Sequence, residues 1–181
     1  MPETRKSASW SCGYVQVYTG DGKGKTTAAL GLALRAAGAG LRVFIAQFAK
    51  GDHSCELDAL ERFADLIVVR QYGTGRFIRG EPPEADIQAA QDGLREAGEA
   101  LRSGDYALVI LDEANIATHL GLFTVDDLLA LIDARPEPVE LVITGRRADP
   151  RVIERAGLVT EMRAVKHYYA DGVEARPGID C

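Results

Sequence analysis

Residues 20 to 27 read Gly-Asp-Gly-Lys-Gly-Lys-Thr-Thr, and no other stretch of the chain restricts its fold so strongly. They follow the apolar run Tyr14-Val15-Gln16-Val17-Tyr18 and open the helical pattern Ala28-Ala29-Leu30-Gly31-Leu32-Ala33-Leu34. A strand, a glycine-rich turn and a helix start, in that order, make a cradle for an anion. Main-chain N–H groups freed by the glycines and the N-terminus of the helix point at one place. Lys25 then reaches the terminal phosphates, and the Thr26 hydroxyl is placed to ligate a magnesium ion.

The fit to G-x-x-x-x-G-K-[ST] is imperfect. With Gly24 and Lys25 in register, the first glycine position holds Thr19, and Gly20 comes one place later. A glycine- and lysine-rich turn that merely precedes a helix is the competing reading. The strand–turn–helix context favours the phosphate cradle.

The rest of the chain repeats the same alternation. Candidate strands are Tyr14–Thr19, Leu41–Phe48, Leu66–Gln71, Tyr106–Leu111, Val139–Thr144 and Leu158–Arg163. These runs are continuously apolar, the pattern of strands buried on both faces of a parallel sheet. Glu84 to Ser103 places Ile87, Ala90, Leu94, Ala97 and Leu101 on one helical stripe. Thr124 with Asp127, and Asp149 followed by Pro150, mark two further helix starts, while Pro136 and Gly157 mark the ends. The expected architecture is a three-layer α/β domain of P-loop (RecA-like) type with a mostly parallel six-stranded sheet. Tyr72 to Pro83, with three glycines and two prolines, reads as a loop at the ligand edge of that sheet.

At 181 residues the expectation is one domain, over residues 13–181, behind a polar, basic, flexible arm over residues 1–12. A net charge of −6, with no Lys/Arg stripe, argues against a nucleic-acid partner. No run is apolar for long enough to suggest a membrane span. Cys12, Cys55 and Cys181 are scattered and never form a C-x-x-C pair, which fits reduced thiols and a cytoplasmic location.

Tyr106 to Leu111 ends in Asp112-Glu113, where a phosphate-loop domain carries its second metal-holding group. One carboxylate binds Mg²⁺, directly or through water, while the other orients a water or the Thr26 hydroxyl. Spacing does not distinguish which does which. Arg35 sits nine residues after Thr26 and is either a ribose or phosphate contact or a solvated helix arginine. Arg146, in Thr144-Gly145-Arg146-Arg147, follows a strand at the ligand edge, where an arginine neutralises polyphosphate. His119 reads as an ordinary helix histidine, and Val165 to Tyr169 as part of a packed tail.

Taken together, Tyr18 to Thr27, Gln47-Phe48-Ala49-Lys50-Gly51, Leu111-Asp112-Glu113, Ile143-Thr144-Gly145-Arg146, Val165-Lys166-His167 and Gly178-Ile179-Asp180 resemble the ATP:corrinoid adenosyltransferases of the P-loop type. The resemblance spans about Gly13 to the last residue, and the shortened phosphate loop belongs to it. It implies that a Co(I) corrinoid attacks the ribose C5′ of ATP and expels triphosphate. The runner-up is a P-loop small-molecule kinase or RecA-like ATPase, and a third reading is a nucleotide-dependent binding module. By the resemblance Gly22, Lys23, Gly24, Lys25, Thr26 and Thr27 hold the triphosphate, with Gly20 and Asp21 also among the cofactor-binding residues. Thr26 and Glu113, with Asp112 beside them, hold Mg²⁺ or Mn²⁺, and Arg35 lies near the nucleoside. The resemblance also implies a homodimer and an external reductant or flavoprotein electron donor. Some members follow a Gly-Thr-Gly loop with a phenylalanine and a tryptophan that displace the corrinoid's lower axial ligand. Here Gly73-Thr74-Gly75-Arg76 leads to Phe77, a wall of that pocket by the resemblance, and Ile78 stands in the tryptophan's place.

Overall fold

The computed structural model describes residues 10–51, 54–75, 78 and 80–180. All six apolar runs become strands: β1 (Val15–Thr19), β2 (Val43–Phe48), β3 (Ile67–Tyr72), β4 (Leu108–Asp112), β5 (Glu140–Thr144) and β6 (Leu158–Glu161). They pair in the order β3-β2-β4-β5-β1-β6, and every pairing is parallel, where the sequence promised only a mostly parallel sheet.

Among the described residues six α-helices cover the sheet: α1 (Lys25–Gly38), α2 (Cys55–Leu60), α3 (Glu84–Arg102), α4 (Ala114–His119), α5 (Val125–Asp133) and α6 (Pro150–Arg155). The pleat sends alternate strand residues to opposite faces. Val43 and Ile45 of β2 meet Ala29, Ala33 and Leu60 from α1 and α2. Phe44, Ala46 and Phe48 meet Ala97, Leu101, Ala117 and Leu128 from α3, α4 and α5. Residues buried on both faces explain why β2 and β4 read as unbroken apolar runs.

Local chemistry sets the helix ends. Thr124 and Asp127 exchange the two hydrogen bonds of a capping box at α5. The Asp149 carboxylate accepts from the Arg151 N–H, and Pro150 occupies the first turn of α6, where its missing N–H costs nothing. In α3 the stripe is buried at Ala90, Ala97 and Leu101, with Ile87 and Leu94 packed beside them. The short helices α2 and α4 were not legible, since six residues carry less than two turns of periodicity.

Two expectations need correction. β6 is not buried on either face, because it closes the sheet as an edge and all four of its residues are exposed. The C-terminal segment is not a packed tail; nearly all of residues 163–179 are exposed. Residues 1–9 of the expected arm, Arg76 and Phe77 lie outside the described residues. Trp10 donates its indole N–H to the Pro138 carbonyl at 2.8 Å.

Parallel strands bring their C-terminal ends to one edge. Thr19, Gln47, Asp112 and Thr144 therefore converge, with Gln47 opposite Asp112 and Tyr18 opposite Thr144. β5 lies between β1 and β4, so the carboxylate at the end of β4 meets the phosphate loop across an intervening strand.

Candidate active site

The turn from β1 to α1 needs its glycines. Gly20 and Gly24 have φ of 93° and 116°, in the left-handed region that side chains avoid. At Gly22 a Cβ would stand 2.7 Å from the Met162 carbonyl oxygen, which instead accepts the Gly22 N–H at 2.7 Å. The chain leaving β6 is thus the back wall of the loop.

Lys25 folds across the loop and donates from Nζ to the Gly20 and Gly22 carbonyls, at 2.8 and 2.7 Å. Burial lowers its ammonium below the ordinary lysine value, and the Glu113 carboxylate is the main group opposing that shift. A buried cation held only by main-chain carbonyls gains when a polyanion arrives.

Asp112 is fully buried and receives four donors. Thr26 and Thr144 hydroxyls donate to one oxygen at 2.9 and 2.7 Å. Lys50 and Gln47 donate to the other at 2.9 and 3.2 Å. Burial alone would lower the Lys50 ammonium, but the charge and hydrogen bond of Asp112 outweigh it and raise it instead. Thr144 receives the Glu113 N–H at 3.0 Å and so joins the two carboxylate-bearing residues through the strand between them. Gln47, Lys50 and Thr144 were missed as site residues. The available signal was polarity at the close of apolar strands.

The two acids therefore divide. Asp112 is saturated and structural, whereas the Glu113 carboxylate accepts no hydrogen bond from a described residue and lines the open cleft. Burial, then the neighbouring Asp112 charge, raise its pKa above the ordinary carboxylate value, against Lys50, Lys25 and Arg146. Its backbone is left-handed, with φ of 61°.

A raised carboxylate pKa means that the folded chain binds this proton more tightly than the unfolded chain. The resulting cost to stability is fully present above the folded pKa and vanishes below the unfolded value. Glu113→Gln is expected to melt at a higher temperature than the parent at pH 8, with the gain shrinking toward pH 4, while turnover is lost. Paired thermal melts at the two pH values check the sign; a lower melting temperature for the variant at pH 8 would refute it.

A cleft of about 900 Å³ runs along this edge. The loop residues Gly22 to Thr27, Lys50, Glu113 and Arg146 line one side of it, and His167 to Tyr169 with Val173 to Ala175 and Gly178 to Asp180 line the other. Of the predicted residues, Gly20 and Asp21 lie at the loop's start, with Asp21 acting on Lys25 through charge. Arg35 is placed elsewhere: it lines a smaller cleft of about 280 Å³ with Trp10, Gln16, Leu32 and Glu140. Ile78 is partly buried and packs against the core. His119 Nε2 lies 2.6 Å from Arg147 Nη1 and does not line the large cleft. Among the described residues, no helix is long and apolar enough to cross a membrane.

Residues 11–181 match the family described as ATP:corrinoid adenosyltransferase BtuR/CobO/CobP. The chain is 38% identical to the corrinoid adenosyltransferase of Pseudomonas aeruginosa, over 93% of this chain and 83% of that one. It is 34% identical to the corrinoid adenosyltransferase of Escherichia coli (strain K12), over 93% of this chain and 85% of that one. It is also 34% identical to corrinoid adenosyltransferase CobA of Salmonella typhimurium, over the same shares of 93% and 85%.

Proposed function

This chain belongs to the ATP:corrinoid adenosyltransferase family, and from that premise we propose how its large cleft performs the transfer. The enzyme moves the 5′-deoxyadenosyl group of ATP to the Co(I) centre of a corrinoid and releases triphosphate. The electron pair of Co(I) forms the cobalt–carbon bond as the bond from C5′ to the triphosphate oxygen breaks. That oxygen carries away the electron pair, and no proton changes hands.

The observation that supports this reading is a cleft rich in anion-stabilising groups without an engaged general base. Lys23, Lys25, Lys50 and Arg146 line it, with the loop N–H groups at the head of α1. Negative charge on the triphosphate grows as the C5′–O bond breaks, so these groups interact more strongly with the transition state than with bound ATP. Lys25 exchanges two carbonyl partners for phosphate oxygens. Co(I) is itself a strong nucleophile and needs no base to activate it.

A Mg²⁺ or Mn²⁺ ion fits the residues present. The Thr26 hydroxyl donates to Asp112, leaving its lone pairs for a cation, and Glu113 offers a carboxylate that accepts no hydrogen bond from a described residue. Among the described residues no cluster of three His, Cys, Asp or Glu side chains exists. A hard ion held by few protein oxygens, with phosphate oxygens and water completing its shell, suits that donor set. Bound there, it would neutralise charge on the departing triphosphate.

The site reading extends to Gly20 through Thr27 as the triphosphate loop and Phe77 as a wall for the corrinoid, with Arg35 toward the nucleoside only if the cleft it lines is drawn in. An external reductant or flavoprotein supplies the electron that makes Co(I), in the cytoplasm. A homodimer is supported by the exposed edge strand β6, where Leu158 and Val159 are 45% and 42% exposed. The test of function is the phosphate product. Incubation with ATP and chemically reduced corrinoid is expected to yield triphosphate and an adenosylated corrinoid; ADP and orthophosphate without triphosphate would overturn the reading.

A further inference from the structure

The C-terminal segment lines the large cleft and is joined to the phosphate loop by a narrow tether. Among the described residues, the hydrogen bonds of residues 166–180 run within the segment itself. The exception is the ion pair from Lys23 Nζ to Asp180 Oδ1, at 2.9 Å. Asp180 also gathers the segment internally. It accepts from the Tyr168 hydroxyl and, at 3.1 Å, from Arg176 Nε, whose guanidinium lies 4.8 Å from the Tyr168 ring centre. Those donors hold its carboxyl well below the usual range, so it stays charged at any working pH. One carboxylate thus organises the segment and fastens it to the phosphate loop.

The segment turns an unusual surface toward the cleft. Tyr169, Val173 and Ile179 are 79%, 40% and 59% exposed, yet all three line the space opposite the cationic loop. One wall fits an anion and the other a flat apolar body.

We propose that Asp180 is a positioning residue: by gripping Lys23 it sets the C-terminal segment as the wall on which the ring-bearing part of a ligand rests. The proposal rests on the reading of the loop as a polyphosphate site. The flat body is either the nucleoside of ATP or the corrin macrocycle, and the two are separable by binding. Tripolyphosphate carries the anion without any ring and reports the loop alone.

Titration calorimetry with Mg-tripolyphosphate, Mg-ATP and cobalamin, on the parent and on Asp180→Asn, provides the test. The variant is expected to keep tripolyphosphate affinity within about threefold and to lose about tenfold for at least one ring-bearing ligand. A loss for ATP assigns the nucleoside to this wall, and a loss for cobalamin alone assigns the corrin. Asp180→Glu should restore much of the affinity. High salt should bring parent and variant together, because the pair is partly solvated and is screened. Trypsin should cut faster after Lys166 in the variant, which reports the segment without any ligand. Equal losses for tripolyphosphate and the ring-bearing ligands, or no change in either binding or cleavage, would overturn the proposal. Failure of the parent to bind tripolyphosphate would instead overturn the polyphosphate reading beneath it.

Discussion

Replacing Lys25 by alanine is expected to lower turnover by about 10² to 10³-fold, the range for removing one well-placed donor to a developing negative charge. The lysine is buried at the head of α1, and its ammonium spans the loop at 2.8 and 2.7 Å from two carbonyls. The other cations of the cleft stand at different points: Lys50 pairs with Asp112, Lys23 with Asp180, and Arg146 acts on Lys25 through charge. Because the interaction strengthens as triphosphate departs, the loss should appear in kcat, with a smaller rise in the KM for ATP. Circular dichroism would establish that the variant is folded. Turnover within a few-fold of the parent would show that the chemistry occurs elsewhere.

The largest effect on stability is expected at Asp112. Asp112→Ala strips the partner from a half-buried ammonium, two hydroxyls and an amide in one step. Breaking a fully buried pair costs about 3–5 kcal/mol, and the partial exposure of Lys50 puts this loss toward the lower end of that range. Urea denaturation of the parent and variant measures the loss. Adding Lys50→Met to the same background should recover part of it, because the orphaned charge is then gone. A loss below about 1 kcal/mol would mean that the four donors find water or one another, and that the network carries little of the fold. Activity should fall as well, since the Thr26 hydroxyl loses the acceptor that orients it.

The sheet was legible because strands buried on both faces write themselves as long apolar runs, and β6 was still found because it opens with Leu158 and Val159, apolar although exposed. The phosphate loop was legible because glycine, lysine and threonine requirements fall within eight consecutive residues. What escaped depends on contacts distant in sequence. Asp112 and Glu113 are neighbours in the chain with opposite fates, decided by Thr26, Gln47, Lys50 and Thr144. Nothing in their spacing encodes that. Arg35 shares a helix with the loop lysine, yet the turn of the helix carries it to another cleft. The tail escaped because its anchor, Lys23 to Asp180, joins residues 157 positions apart, and its exposed aromatics look like packing residues until the far wall is known.

The left-handed backbone at Glu113 restricts what evolution or a mutant library can place there. Asparagine and aspartate tolerate that conformation best among residues with side chains, whereas valine or isoleucine would add strain. Aspartate would keep the charge and ease the main chain, yet the chain carries the longer acid. The extra methylene is therefore a statement about reach: saturation mutagenesis scored for folding alone should enrich Asn, Asp and Gly, and scored for catalysis should return Glu.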